Sequence, residues 1–209
     1  MARARGDGVV CDAAAPERLD LYCGEVEQWA GPADLISIKD LPNLVTTHIA
    51  ASLGVLWAER PKPPERWIDV GTGGGLPGMI VKVCCPEISM DLLDSSEKKI
   101  LFLERVGRRL GLQEFRVLHQ RVEQLAAAEG QCTYDVILMR AVTSLAKALR
   151  LIDSLSASGA RFMTFKGSRW ESEVGEARHV SQELGWEFVD ALQIPWARPR
   201  LLRMRKKAG

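Results

Sequence analysis

The stretch Trp67-Ile68-Asp69-Val70-Gly71-Thr72-Gly73-Gly74-Gly75-Leu76-Pro77-Gly78 decides the fold. Trp67 to Val70 is a short apolar run with β-branched residues, the pattern of a buried strand. It stops in a glycine-rich loop, where glycine permits positive φ and lets a ligand approach the backbone closely. Pro77 to Cys85 has the composition of a helix, and Pro86 stops it. A strand, a glycine loop and a helix in that order open a βαβ unit.

The same rhythm continues to the C-terminus. Strands are expected at 88–93, 115–118, 134–139 and 160–165, with helices between them. Ser95 or Ser96 is placed to cap the helix carrying Ile100, Leu103, Val106 and Leu110, and Gly111 closes it. Leu145 to Leu155 is expected to be helical, as is the polar stretch from about Trp170 to Leu184. Late strands near 186–192 and 201–205 can pair as an antiparallel edge. Alternating strands and helices imply right-handed crossovers and a mostly parallel, doubly wound α/β sheet.

Upstream the pattern is helical. Leu19, Tyr22, Cys23, Val26 and Trp29 form one stripe, and Gly31-Pro32 is expected to break it. Asp40 is placed to cap a second helix with Pro42 in its first turn and Leu44, Val45, His48, Ile49, Ser52, Leu53 and Leu56 as its periodic residues. Pro61 to Glu65 is a stiff linker. Residues 1–60 are therefore expected to form a helical cap, and 61–209 the α/β domain.

Composition sets bounds on function. The 209 residues, 46% hydrophobic, suffice for one good core. A net charge of +1 does not mark a nucleic-acid binder, so local distribution has to carry that question. Cys11, Cys23, Cys84, Cys85 and Cys132 contain no CxxC pair and, with His48, His119 and His179, no metal-ligand spacing. A reduced, cytoplasmic protein without a metal is expected. No secretory signal or membrane-spanning run is read from the sequence, and a monomer is the default.

In doubly wound sheets ligands bind outside the carboxyl ends of the strands. Here those ends carry Asp69 and the glycine loop, Asp94, Arg121-Val122-Glu123, Arg140 and Lys166. Asp94 follows Asp69 by about 25 residues, near the spacing of the acid that binds ribose hydroxyls in dinucleotide folds. It is equally placed to cap the next helix, and the two roles coexist. The pattern fits a nicotinamide dehydrogenase or an S-adenosylmethionine enzyme. Pro77 interrupts the helix start, and Asp69 puts negative charge where a pyrophosphate would not welcome it, which favours the sulfonium cofactor.

WIDVGTGGGLPG, LLDSSEKKILFL, HQRVEQL, YDVILMRAV and FKG, in this order, resemble the glucose-inhibited division protein B family of small-subunit ribosomal RNA guanine-N7 methyltransferases. HIAASL at 48–53 resembles the family box HxxDSL. The resemblance covers roughly residues 17 to 207. It implies a seven-stranded class I methyltransferase fold, S-adenosyl-L-methionine as cofactor, and 16S ribosomal RNA or the small subunit as substrate. By motif, Gly71 and Leu76 would line the cofactor, with Gly73 and Gly75 in the same loop. Asp94 would hold the ribose, Val122 and Glu123 would border the adenine, and Arg140 would sit beside cofactor and base. Ala51 stands where the box has Asp, and WAGPADLISI lacks the asparagines of a WNxxxNLTxI-like pattern; both departures lie in the cap.

Guanine N7 has a free lone pair and needs no general base, so Arg140 and Lys166 are expected to grip O6 or phosphates. A salt bridge is the alternative for each, and Glu123 is also placed to cap the helix that contains it. His48 is expected to be a satisfied core histidine. For RNA, the basic candidates are Lys98, Lys99, Arg105, Arg108 and Arg109, the C-terminal Arg198, Arg200, Arg203, Arg205, Lys206 and Lys207, and Arg3 and Arg5. Ordinary solvated charge is the alternative for the helix, and a solubilising tail for the C-terminal cluster. A class I methyltransferase with another substrate, or a non-catalytic S-adenosylmethionine-binding ribosome assembly factor, also satisfies these motifs.

Overall fold

The computed structural model describes residues 8–128, 134–140 and 143–208. Arg3, Arg5 and Cys132 lie outside them. The strands are β1 (Arg66–Val70), β2 (Ser89–Asp94), β3 (Phe115–His119), β4 (Tyr134–Arg140), β5 (Ser156–Lys166), β6 (Trp186–Gln193) and β7 (Arg200–Lys206). They form one seven-stranded sheet in the order β3-β2-β1-β4-β5-β7-β6. β1 to β5 are parallel, and β7 lies antiparallel to both β5 and β6. The order reverses between β1 and β4, which makes their carboxyl ends the switch point of the sheet.

Period-two alternation in the strands builds two core layers. Trp67, Met90, Leu92, Val136 and Leu138 face the layer that contains α1 (Ala15–Ala33), α2 (Ala50–Ala58), α3 (Gly78–Cys84) and α4 (Glu97–Arg109). Ile68, Val70, Leu93, Ile137 and Met139 face the other, with α5 (Val122–Ala128), α6 (Leu145–Ile152) and α7 (Trp170–Glu183). The upstream helices share the first layer with α3 and α4, so the cap and the sheet are sealed by common apolar burial.

Several local expectations need correction. α1 passes through Pro32 and ends at Asp34, whose left-handed φ of 51° turns its amide onto the carbonyls of Ala30 and Gly31. The second upstream helix is not one α-helix capped by Asp40. A 3-10 turn spans Ile38–Asn43, a π turn spans Leu44–Ile49, and only Ala50–Ala58 is α-helical. Pro42 lies inside the 3-10 turn, where it cannot donate to an α-helical ladder. The continuous run Ile38–Ala58, 21 residues with an 18-residue window of mean hydropathy 1.2, does reach the length and apolarity of a membrane span. Its Leu44, Ile49, Ala51, Val55 and Leu56 are nevertheless buried in the protein's own core. Ser96 stands at the N-cap of α4 but makes no side-chain cap hydrogen bond; instead its own N–H is held by the Asp94 carboxylate at 2.9 Å, just before the helix. The C-terminal basic cluster is no tail, because most of it lies in β7, inserted between β5 and β6.

Candidate active site at the switch point

The glycine loop is shaped by Asp69. This carboxylate is fully buried at the end of β1. Its Oδ2 accepts the Thr72 hydroxyl at 2.7 Å and the Gly78 N–H at 2.8 Å, which closes the loop on the first turn of α3. Its Oδ1 is buried with no hydrogen-bond partner. Burial pushes the Asp69 pKa up from 3.8 to about 6, against the two hydrogen bonds and the nearby Arg140, which lower it. Gly71, Gly73 and Gly75 have φ of 68°, 60° and 99°, which L side chains rarely adopt. A Cβ on Gly78 would lie 2.5 Å from Leu92 Cδ2 and 2.7 Å from Asp69 Cβ, so this helix start can approach β1 only without a side chain.

Asp94 ties the loop to β2. Its Oδ2 accepts the Gly73 N–H at 2.9 Å, while Oδ1 takes Ser96. A carboxylate has about four acceptor directions, so capacity remains for a diol. Gln120 N–H meets the Asp94 carbonyl at 3.2 Å, bringing the start of α5 alongside. There Val122 is buried and Glu123 is exposed. Leu76 is half-buried beside the loop.

Arg140 ends β4 across the switch point. Its Nη2 lies 2.6 Å from His48 Nδ1, and its guanidinium carbon sits 5.7 Å above the Phe165 ring. Arginine can only donate, so Nδ1 accepts and His48 carries its proton on Nε2. Burial and the adjacent Arg140 charge lower the His48 pKa, consistent with a neutral ring. Burial also lowers the Arg140 pKa, with Asp69 and Tyr22 opposing. His48 is therefore no core histidine. It is half-buried on the π turn, where the widened backbone presents it to Arg140. Ala51, in contrast, is fully buried.

Lys166 stands apart from this group. Its Nζ donates to Glu173 Oε2 at 2.7 Å and to the Thr143 carbonyl at 3.0 Å. The same Glu173 oxygen receives the Leu145 N–H at 3.3 Å, so the pair fastens the start of α6 to α7. Arg105 and Arg109 are likewise committed: both bind the buried Glu25 of α1, and Arg105 lies over Trp29. They join cap to α4. Lys98 and Arg108 remain exposed on that helix.

Sequence reasoning missed Tyr22. Its hydroxyl donates to the Gly74 carbonyl at 2.8 Å from a fully buried position on α1, which braces the glycine loop from the cap. The only signal was its place in the α1 stripe. Tyr22→Phe leaves that carbonyl buried and unpaired, a cost of about 1–3 kcal/mol. The expected result is a melting temperature lower by about 4 °C together with weaker cofactor binding. Differential scanning calorimetry and titration calorimetry check this; unchanged values of both would show that the brace is dispensable.

Comparison with known proteins agrees with this geometry. The family described as rRNA small subunit methyltransferase G (GidB) matches residues 15–194. A protein named ribosomal RNA small subunit methyltransferase G from Methylibium petroleiphilum is 34% identical over 186 residues, which cover 88% of this chain and 81% of that one. Its namesake from Cellvibrio japonicus is 37% identical over 169 residues, 80% of this chain and 76% of the relative. A crystal structure of a SAM-dependent O-methyltransferase from Thermotoga maritima superposes with a TM-score of 0.57 at 17% identity, covering 81% of this chain and 71% of that one. The fold is thus that of the class I S-adenosylmethionine-dependent methyltransferases, and the chain belongs to the rRNA small subunit methyltransferase G family.

Proposed function

We propose that this protein transfers the methyl group of S-adenosylmethionine to N7 of one guanine in 16S ribosomal RNA. The observation that carries the reading is the pairing across the switch point. On one side Asp69 and Asp94 hold a glycine loop open for a cofactor; on the other, Arg140 stands ready for a base. The residues fit S-adenosylmethionine. Asp69 Oδ1 is a buried acceptor without a donor, beside which a cationic group is stabilised. Space around Gly73 is open, with nothing within 4 Å of a built Cβ. Gly71, Gly73, Gly75 and Leu76 form the cradle, Asp94 takes the ribose hydroxyls, and Val122 and Glu123 border the adenine.

When bound, S-adenosylmethionine supplies an electrophilic methyl on a sulfonium. Guanine N7 attacks with its own lone pair, so no side chain has to remove a proton first. The protein's task is alignment. Arg140, held by His48 and Phe165, keeps donors free to grip O6 of the base. Positive charge builds on the purine during transfer, and the Asp69 carboxylate beneath the loop stabilises it. Lys166 is a positioning residue: it ties Thr143, just before α6, to Glu173 of α7.

The buried Asp69 links cofactor binding to pH. Its folded pKa of about 6 is above the ordinary 3.8, so the fold prefers the protonated form, and this group's contribution to stability falls as pH rises from about 4 to about 6. A bound cation favours the carboxylate. Cofactor affinity should therefore rise with pH through about 6 in the wild type and lose that rise in Asp69→Asn. Titration calorimetry between pH 5 and 8 measures it. An identical pH profile in both proteins would remove Asp69 from the cation's surroundings.

The test of the reading is transfer of labelled methyl from S-adenosylmethionine to small ribosomal subunits lacking endogenous modification. Labelled RNA supports it. Cofactor binding with labelling only of protein or small molecules assigns a different substrate.

A further inference from the structure

The basic residues near the C-terminus divide by strand register. Arg200 pairs with Lys166 at the carboxyl end of β5, whereas Arg205 pairs with Arg161 in the middle of that strand. Gln193 at the end of β6 also faces Arg200. The β6–β7 loop, Ile194-Pro195-Trp196-Ala197-Arg198-Pro199, therefore opens on the same edge of the sheet as the glycine loop and Arg140. Lys206 and Lys207 lie at the opposite edge, bound to Asp153 and Glu187. Arg203, between them, is bound by Asp190 and Glu59.

The loop is built to hold its shape. Ile194 is buried in the core. The Gln193 amide donates to the Ala197 carbonyl at 2.8 Å, and Ala197 N–H meets the Ile194 carbonyl at 3.2 Å. Trp196 donates its indole N–H to the Ala50 carbonyl at 2.8 Å and sets its ring edge-on to Trp57, with 6.0 Å between centroids. Ala50 follows closely on His48, the residue that holds Arg140. A large aromatic ring, 43% exposed, is thus anchored at the rim of the site. Arg198 is exposed beside it, with no ion pair among the described residues. Arg200 lies 5.5 Å over the Trp170 ring. The loop contains no acidic residue.

An exposed, immobilised aromatic flanked by cations suits one partner: unpaired RNA. Bases stack on aromatic rings and phosphates take the arginines, and a preformed surface avoids the entropy of ordering. We propose that the β6–β7 loop grips the RNA strand beside the target guanine, with Trp196 stacking a neighbouring base and Arg198 and Arg200 holding phosphates. This rests on the reading of an RNA substrate given above.

The test measures KM for small subunits, its salt dependence, and S-adenosylmethionine affinity for the wild type and four variants. Arg198→Glu should raise KM about tenfold and lower the salt slope by about one. Trp196→Ala should raise KM about tenfold or more, and Trp196→Phe, which keeps a stacking face, should recover most of that. Lys207→Glu, at the far edge, should match the wild type. Cofactor affinity should hold throughout. Wild-type KM in both Arg198→Glu and Trp196→Ala would overturn the proposal. So would a Trp196→Phe defect equal to that of Trp196→Ala with lost cofactor affinity, which makes the indole a structural strut only. A shift in sedimentation from dimer to monomer would assign the loop to self-association instead. If the wild type labels no RNA at all, the substrate reading falls first and takes this proposal with it.

Discussion

Asp94→Ala lowers S-adenosylmethionine affinity by about 100-fold while leaving a cooperatively folding protein. The carboxylate accepts backbone N–H groups from Gly73 and Ser96, so it organises the glycine loop and the start of α4 at once. It is also the acceptor offered to the ribose diol. Charge-assisted hydrogen bonds are worth about 1.5–3 kcal/mol each, and losing a pair of them gives this magnitude. The fold persists because Asp94 is only half-buried at a strand end, and β2 remains paired on both sides. Asp94→Asn should fall between the two: one oxygen still accepts, but the amide group presents donors to a backbone N–H. Titration calorimetry with S-adenosylmethionine and S-adenosylhomocysteine is the measurement. Wild-type affinity in Asp94→Ala would move the ribose elsewhere.

Arg140→Ala lowers kcat/KM for methyl transfer by about 100-fold or more, with a smaller effect on cofactor affinity. A cation that aligns the base acts through geometry, and misplacement by about 1 Å costs that much. Arg140→Lys should not recover the loss, since an ammonium cannot present a planar fork to His48 and to a base edge together. The contact with His48 supplies an internal check. In His48→Asn an amide oxygen can still accept from the guanidinium, and this variant should keep more activity than His48→Ala. Single-turnover kinetics on small subunits separates these effects from product release. Full turnover in Arg140→Ala would remove it from the substrate's alignment and leave it as a bolt between cap and sheet.

The parts of this site that could be read from sequence are those with local signatures. A strand ending in an acid and glycines of positive φ leaves a mark within about a dozen residues. Asp94 follows at a spacing set by one helical crossover. Strand and helix periodicity likewise revealed every strand, though β5 begins at Ser156, earlier than its apolar run indicates. What escaped depends on contacts far apart in the chain. Tyr22 reaches Gly74 across 52 residues, and His48 reaches Arg140 across 92. Nothing in either neighbourhood distinguishes a brace from an ordinary member of an amphipathic stripe. The basic helix shows the same limit in reverse. Arg105 and Arg109 resemble an RNA surface until α1 brings Glu25 against them from 80 and 84 residues away. The π turn at Leu44–Ile49, set between the 3-10 turn that holds Pro42 and the α-helix from Ala50, also has no sequence signature.

The central claim is methylation of guanine N7, and identifying the product nucleotide tests it most directly. Small subunits lacking endogenous modification are incubated with the protein and labelled S-adenosylmethionine, and the 16S RNA is digested and analysed by mass spectrometry. The account predicts 7-methylguanosine at a single position, formed more slowly by about 100-fold or more with Arg140→Ala. Label on a different atom or base, or on no nucleotide while the cofactor still binds, would contradict it.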